Sequence, residues 1–275
     1  MFGVKIEGRM GNQMFQYAFA LAQKDRLKED FYLDCYYYFY VKNSFILHKY
    51  FSINTNITFR NAWKKFRFYC SHKFRPPIVI ENQWLDASQC LQNARSGMLY
   101  KGFFQSEQYF LNIRDKITRE LTIKEKYRIN IRDFTGNDKE TIVVHIRKTD
   151  YLHWGSDELQ YNLSLPDTYY HRCLERLDRK NKNIVFLSDD IEYVKNNFRL
   201  EGALFSEGNS QIMDLQLLMQ ADHLILSNSS FSWWGAYLNN TAQEVFAPAY
   251  WLGFKVGREF PNGVIRPGWK ATEVL

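Results

Sequence analysis

The chain has 275 residues, of which 45% are hydrophobic and 17% aromatic; that is enough for two domains with their own cores and too apolar for intrinsic disorder. Its net charge of +6 is uneven: residues 1–138 carry 22 Lys and Arg against 13 Asp and Glu, whereas residues 139–275 carry 14 against 17. A basic first half suits an anionic partner or surface, but no nucleic-acid motif accompanies it, which sets aside a nucleic-acid binder.

Phe2 to Ile6 read as a first strand, followed by a loop through Gly8 and Gly11 and a helix from Gln13 to Leu27. Strand, glycine loop and helix together aim backbone N–H groups at an anion. The Gly-x-x-Gly spacing is not the dinucleotide fingerprint. Asn12 and Gln13 are placed either to bond a sugar or phosphate or to cap the helix. A second strand starts near Phe31. From Arg60 to Arg75, Trp63, Phe66, Cys70 and Phe74 recur at helical spacing between basic residues. Such a helix either lies on an anionic membrane surface or packs on its own domain with snorkelling lysines. Met98 to Phe104 read as a strand and Tyr109 to Leu121 as a helix. The turn signal Gly136-Asn137-Asp138 sets an expected domain boundary near residue 138.

The second half alternates more cleanly. Thr141 to Val144 form a β-branched apolar run, read as a buried strand. His145, Arg147, Lys148 and Asp150 leave its end, where open α/β sheets bind ligands. Arg147 has the planar donor fork suited to phosphate oxygens. Asp150 is either a base or a clamp on that arginine. Asp167 is expected to cap a helix running to about Lys180. Strands at Ile184–Leu187, Leu224–Leu226 and Val245–Ala247 alternate with helices at Ile212–Met219 and Ser229–Leu238. The pattern implies an α/β chain with a parallel, doubly wound sheet.

Cys35, Cys70, Cys90 and Cys173 form no Cys-x-x-Cys pair. They are expected as buried free thiols in a reducing compartment, without zinc. No run reaches the ~18 apolar residues of a membrane span, and the N-terminus has no apolar leader region. The expected location is the cytoplasm, with peripheral contact to the inner membrane open through residues 60–75.

Three stretches occur in order: Gly8-Arg9-Met10-Gly11-Asn12-Gln13-Met14-Phe15-Gln16-Tyr17-Ala18, His145-Ile146-Arg147-Lys148-Thr149-Asp150-Tyr151, and Ser227-Asn228-Ser229-Ser230-Phe231-Ser232-Trp233-Trp234-Gly235-Ala236. Together they resemble the α-1,2-fucosyltransferases, glycosyltransferase family eleven. Gly102-Phe103-Phe104-Gln105-Ser106-Glu107 and Leu187-Ser188-Asp189-Asp190 look like lesser motifs of the same family. The family usually has Arg-Arg where this chain has Arg147-Lys148, and lysine offers a point charge rather than a fork.

The resemblance implies a GT-B-like architecture, two Rossmann-like domains facing a cleft, with residues 1–138 on the acceptor side and 139–275 binding the donor, GDP-fucose. It implies inverting transfer to the 2-hydroxyl of a galactose-terminated glycan. Arg147 and Asp150 are the expected catalytic residues, with Glu107 and His153 as further candidates for the base. Arg9, Gly11, Asn12, Gln13, His145, Lys148, Asp189, Asp214, Ser229 and Ser230 are the expected donor-binding residues, Asp214 reading guanine. His145 is open between a contact to the base through its backbone and a packed strand end. The chain has no Asp-x-Asp, so no metal cofactor is expected. A fucosyltransferase of another linkage (α-1,6 or protein O-linked) and a carbohydrate-binding protein without turnover are the rival readings.

Overall fold

The structure is a computed structural model and describes all residues except 36–44, 54–65, 67–69, 72, 74–75 and 93. Most of the basic aromatic stretch at 60–75 therefore lies outside the described residues. The chain divides into two compact units, Met1–Glu125 and Lys126–Leu275. Residues 126–138 go with the second unit because the side-chain amides of Gln216 and Gln220 accept the N–H groups of Ile129 and Ile131, at 3.0 and 3.1 Å. The turn at 136–138 thus falls inside a unit rather than between two.

The first unit is built on four parallel strands, β1 (Phe2–Lys5), β2 (Phe31–Asp34), β3 (Ile78–Ile80) and β4 (Leu99–Lys101), in the order β2-β1-β4-β3. Among the described residues its helices are α1 (Met10–Leu27), α2 (Leu47–Tyr50), α3 (Ala87–Leu91) and α4 (Arg114–Glu120). Helix α1 starts at Met10, so Gly11 sits in its first turn and Gly8, at φ +80°, alone makes the left-handed bend before it. The helix expected over 109–121 breaks at Phe110 (φ −144°): 3₁₀ turns at 107–109 and 111–113 precede α4.

Strand β1 is the crossover point of this sheet, and two polar links span its exit. Gln16 donates to the Gly102 carbonyl at 2.9 Å, and Gln105 donates to Asn12 Oδ1 at 2.8 Å. The exit of β4 is held from the other side by Glu81, whose carboxylate accepts the N–H groups of Phe103 and Phe104 at 2.8 and 2.9 Å. Burial raises the Glu81 carboxyl above its ordinary range, and these donors partly offset the rise. Phe104 is left-handed (φ 53°), and its ring stacks on Phe19 at 3.7 Å between centroids. The ring contact and the carboxylate together hold this strained residue. A Cβ on Gly102 would meet Glu81 Cβ at 2.4 Å, which requires glycine there.

The second unit has six parallel strands, β5 (Thr141–Ile146), β8 (Asn183–Ser188), β9 (Leu204–Phe205), β10 (His223–Ile225), β11 (Glu244–Pro248) and β12 (Lys270–Thr272). Their spatial order is β9-β8-β5-β10-β11-β12. In order of appearance this is 3-2-1-4-5-6, the dinucleotide-binding order, whose switch point lies between β5 and β10. A two-stranded antiparallel hairpin, β6 (Gly155–Ser156) and β7 (Gln160–Tyr161), follows β5. The helices are α5 (Ile131–Thr135), α6 (Asp167–Glu175), α7 (Ile191–Asn197), α8 (Gln211–Gln220) and α9 (Ser230–Leu238).

One face of this sheet, Val143, Val185, Leu224 and Val245, packs with Leu217 and Leu218 of α8 and Ala236 of α9. The two helices approach closely because residue 235 is glycine; a Cβ there would lie 2.4 Å from Leu218 Cβ. Cys35 and Cys173 are buried as expected, but Cys70 is exposed and Cys90 half-buried. Among the described residues no helix is long and apolar enough to cross a membrane.

Candidate functional site

The switch point of the second sheet gathers the motif residues that leave β5, β8 and β10. Every residue of β5 is buried, so the first side chain free to turn outward is Arg147. Arg147 is 14% exposed and sits between two carboxylates: Nη2 donates to Asp150 Oδ1 at 2.6 Å, and Nη1 lies 3.2 Å from Asp189 Oδ2. Both ends of the fork are used, which fixes the guanidinium plane. Its Nε is buried and has no acceptor among the described residues. The Tyr151 ring lies 5.4 Å from the guanidinium carbon.

Asp189 is the hub of this turn. Beyond Arg147 it accepts the Lys148 backbone N–H at 2.9 Å and the Thr149 hydroxyl. A carboxylate leaving β8 thus ties down three consecutive residues leaving β5, because the two strands are paired neighbours with Ile146 opposite Ser188.

The Lys148 side chain goes the other way. It is buried, with Nζ 3.0 Å from Asp167 Oδ1 and 3.3 Å from the Leu165 carbonyl, and it lies over the Tyr193 ring at 4.4 Å. Tyr193 donates to the second Asp167 oxygen at 2.6 Å. Burial first, and Asp167 second, push the Tyr193 phenol up to about 12, so it remains a donor. Asp167 therefore does not cap α6. The N-cap is Pro166, and the Asp167 carboxylate is occupied by Lys148 and Tyr193.

His145 crosses the switch point itself. Its Nδ1 is 2.8 Å from Ser227 Oγ, joining the end of β5 to the loop after β10. Burial, reinforced by the nearby Arg147 charge, pushes its pKa down to about 3, so the imidazole is neutral throughout the physiological range. The side chain is thus packed at the strand end, which leaves the backbone of His145 open to a base contact.

Ser229 is the N-cap of α9, its hydroxyl accepting the Phe231 N–H at 3.3 Å, and Ser230 opens the helix. The first-turn N–H groups and the helix dipole point out of the switch point, a favourable place for phosphate oxygens. Behind them Trp233 and Trp234 are fully buried, and Trp233 Nε1 donates to the Val264 carbonyl at 2.7 Å. The motif thus splits, with serines at the site and tryptophans in the core. Asn228 donates to the Leu163 carbonyl at 2.8 Å, and its own carbonyl accepts the Tyr151 hydroxyl at 3.4 Å.

Asp214 lies apart from this cluster, in the first turn of α8. The Ser206 hydroxyl, just past the exit of β9, donates to it, and Asn209 donates to Ser206 at 2.7 Å. Burial raises the Asp214 carboxyl from 3.8 to about 6, against the opposing effect of the Ser206 hydrogen bond.

In the first unit, Arg9 is exposed at the N-cap of α1 and Gly11 is buried. Gln13 is committed to the backbone: it donates to the Gly8 carbonyl at 3.2 Å and accepts the Ile46 N–H at 2.9 Å. Glu107 is buried and His153 exposed. Thr149, Asp167 and Tyr193 complete the second-unit site and were not among the expected residues. Nothing in local spacing pairs Asp167 or Tyr193 with Lys148. Ser227 and Asn228, by contrast, stand inside a motif already singled out.

Comparison with known proteins agrees with this geometry. The family model described as Glycosyl transferase family 11 matches residues 1–271. The chain is 29% identical to an alpha-1,2-colitosyltransferase of Escherichia coli, over 90% of this chain and 91% of the relative. It is 24% identical to the O-antigen biosynthesis glycosyltransferase WbnK of Escherichia coli, over 90% and 93%. It is also 24% identical to a galactoside 2-alpha-L-fucosyltransferase of Mus musculus, over 96% and 76%. Among solved structures, fucosyltransferase NodZ from Bradyrhizobium superposes with a TM-score of 0.55 at 14% identity, covering 88% of this chain and 92% of that one. FUT1 of Arabidopsis thaliana in complex with GDP gives 0.52 at 11% identity, over 86% and 68%. The fold is GT-B-like, and the chain belongs to glycosyl transferase family 11.

Proposed function

We propose that this chain transfers L-fucose from GDP-β-L-fucose to the 2-hydroxyl of a galactoside, with inversion and without a divalent cation. The observation that carries the reading is Arg147, fixed between Asp150 and Asp189 at the Rossmann switch point and close in sheet order to the helix N-terminus at Ser229 and Ser230. As the galactoside O2 attacks the anomeric carbon, the bond from that carbon to the β-phosphate oxygen breaks, and GDP leaves with the electron pair. Arg147 and the α9 N–H groups meet the growing phosphate charge. The O2 proton passes to a carboxylate, with Asp150 the first candidate.

The test is turnover of GDP-fucose by the purified chain with lactose or N-acetyllactosamine, with and without EDTA, followed by NMR of the product. The expected result is an α-1,2 linkage formed at a rate EDTA does not change. An α-1,6 linkage, or a rate abolished by EDTA and restored by a divalent cation, overturns the corresponding part. The similarity to a colitosyltransferase supports a second reading in which the donor sugar is colitose, which lacks the 3-hydroxyl of fucose. GDP-colitose in the same assay separates the two.

Asp214 gives the nucleotide reading its own test. Guanine N1–H and N2–H₂ are donors, so an ionised carboxylate should bind them best. Because burial raises this group to about 6, the carboxylate form is lost as pH falls through that value. Affinity for GDP-fucose, whose diphosphate does not titrate in this range, is expected to weaken about tenfold per unit below pH 6. Calorimetry from pH 5 to 8 reads it, and Asp214→Asn is expected to bind weakly with a flat profile. The effect on folding has the opposite sign: a raised carboxyl favours the folded state below its ordinary value of 3.8, and that contribution is lost as pH rises to about 6.

A further inference from the structure

The donor reading does not use residues 152–163 of the second unit, which carry aromatic rings held in solvent. Trp154 is 43% exposed and Tyr161 59% exposed, on a hairpin whose shape is imposed by its backbone. Gln160 and Asn162, on either side of Tyr161, are both left-handed (φ 65° and 61°) without being glycine. Gly155 closes the hairpin where a Cβ would lie 2.2 Å from the Gln160 carbonyl oxygen. Strain of this kind persists where the surroundings over-determine it, and here they do. Leu159 and Leu163 are buried as anchors, the Leu163 N–H donates to the Trp154 carbonyl at 3.3 Å, and Lys255 donates to the Tyr161 carbonyl at 2.7 Å.

The hairpin is also wired to the switch point. The Trp154 ring is 5.1 Å from the Tyr151 ring, and the Tyr151 ring lies 5.4 Å from the Arg147 guanidinium. The Tyr151 hydroxyl donates to the Asn228 carbonyl, and Asn228 donates to Leu163 at the hairpin's base. These bonds place the hairpin toward the β10 side of Arg147. Asp214, which the donor reading gives to guanine, is held by Ser206 beyond β9, on the other side of Arg147 in the sheet order. With guanine on the β9 side and the diphosphate at Arg147, the sugar end of the donor and its attacking acceptor fall on the β10 side. The ring there is apolar, planar and open, the surface that the C3–H, C4–H and C5–H face of galactose covers. Stacking on that face leaves O2 at the rim of the sugar, free to attack.

We propose that Trp154, held beside the Arg147 clamp by the β6–β7 hairpin, is the stacking platform for the acceptor galactoside and sets acceptor rather than donor affinity. The proposal rests on the donor reading above. Loss of one aromatic stack costs about tenfold or more in affinity.

Steady-state kinetics of the full chain with GDP-fucose and N-acetyllactosamine, on wild type, Trp154→Ala and Trp154→Tyr, test it. Galactoside contact with the GDP-loaded protein is read separately by saturation-transfer NMR, which needs no turnover. In Trp154→Ala the acceptor KM is expected to rise about tenfold or more and the galactoside signal to fade. The GDP-fucose KM and slow donor hydrolysis without acceptor stay as in wild type, and Trp154→Tyr regains most of the acceptor affinity. An unchanged acceptor KM and galactoside signal in Trp154→Ala overturns the platform while leaving the donor reading intact. A loss of GDP affinity with acceptor KM unmoved also overturns it, placing the ring with the donor. A wild type that binds neither GDP nor GDP-fucose removes the donor reading itself, and a wild type that binds GDP but shows no galactoside contact removes the platform alone.

Discussion

Arg147→Ala is expected to lower fucosyl turnover by at least about a hundredfold and to weaken GDP binding as well. The size follows from the role proposed for the arginine and from what its removal leaves behind. Removing one preorganised donor that meets charge in the transition state costs about 10²–10³ in rate. Here the removal also leaves Asp150 and Asp189 facing the site without their shared cation, so the diphosphate would meet two carboxylates in place of a guanidinium. Arg147→Lys is expected to fall between wild type and alanine, since one ammonium can serve one carboxylate well but not both. Single-turnover rates and GDP calorimetry measure the two effects. Asp150→Asn then sorts the roles of that carboxylate. As the first candidate for the base, Asp150→Asn is expected to lose turnover while keeping GDP affinity. Turnover and GDP affinity falling together would instead make Asp150 the clamp that its 2.6 Å ion pair with Arg147 allows.

Trp233→Ala is expected to destabilise the second unit by about 3–5 kcal/mol, the range for emptying a buried tryptophan site. Trp233 is fully buried, stacks on Tyr237 at 4.9 Å and meets Trp269 edge-on at 5.8 Å. Its indole N–H donates to the Val264 carbonyl, so truncation leaves both a cavity and a buried carbonyl that has lost this donor. Urea unfolding followed by circular dichroism reads the loss. Trp233→Phe keeps much of the volume and is expected to cost about 1–3 kcal/mol, the desolvation penalty of the orphaned carbonyl. The functional consequence is indirect. Trp233 lies one turn into α9, the helix whose N-terminus carries Ser229 and Ser230, so loosening its anchor should weaken GDP binding without removing any phosphate contact. A variant with native stability, or one that loses stability but binds GDP as tightly as wild type, would separate the core from the site.

Much of the architecture was legible in the residues. The β-branched run at 141–144, the alternation that follows it and the helix over 212–219 specify parallel βαβ units by local periodicity, and most observed ends fall within one or two residues of those expected; the helix from Asp167, expected to run to about Lys180, ends at Glu175. The ordered motifs at Gly8, His145 and Ser227 mark the exits of β1, β5 and β10, because polar and glycine-rich residues directly after a buried apolar run have nowhere to go but the sheet's carboxyl edge. The two-residue strands β6, β7 and β9 were not legible, since two residues carry no period, and neither was the break at Phe110, which local apolar spacing does not reveal.

What the sequence by itself determined about this protein is its class: an α/β chain carrying the residue types and motif order of glycosyl transferase family 11. Only the tertiary structure decided how those residues are used. It gave Asp189 three partners leaving the neighbouring strand, set the neutral His145 against Ser227, turned Lys148 inward to Asp167 and Tyr193, and hid Trp233 in the core while leaving Trp154 in solvent. The physical reason is range. Periodicity and capping act within a turn or two of chain, whereas each of these partnerships joins residues about 20 to 80 positions apart, and only strand pairing and helix packing bring them within reach.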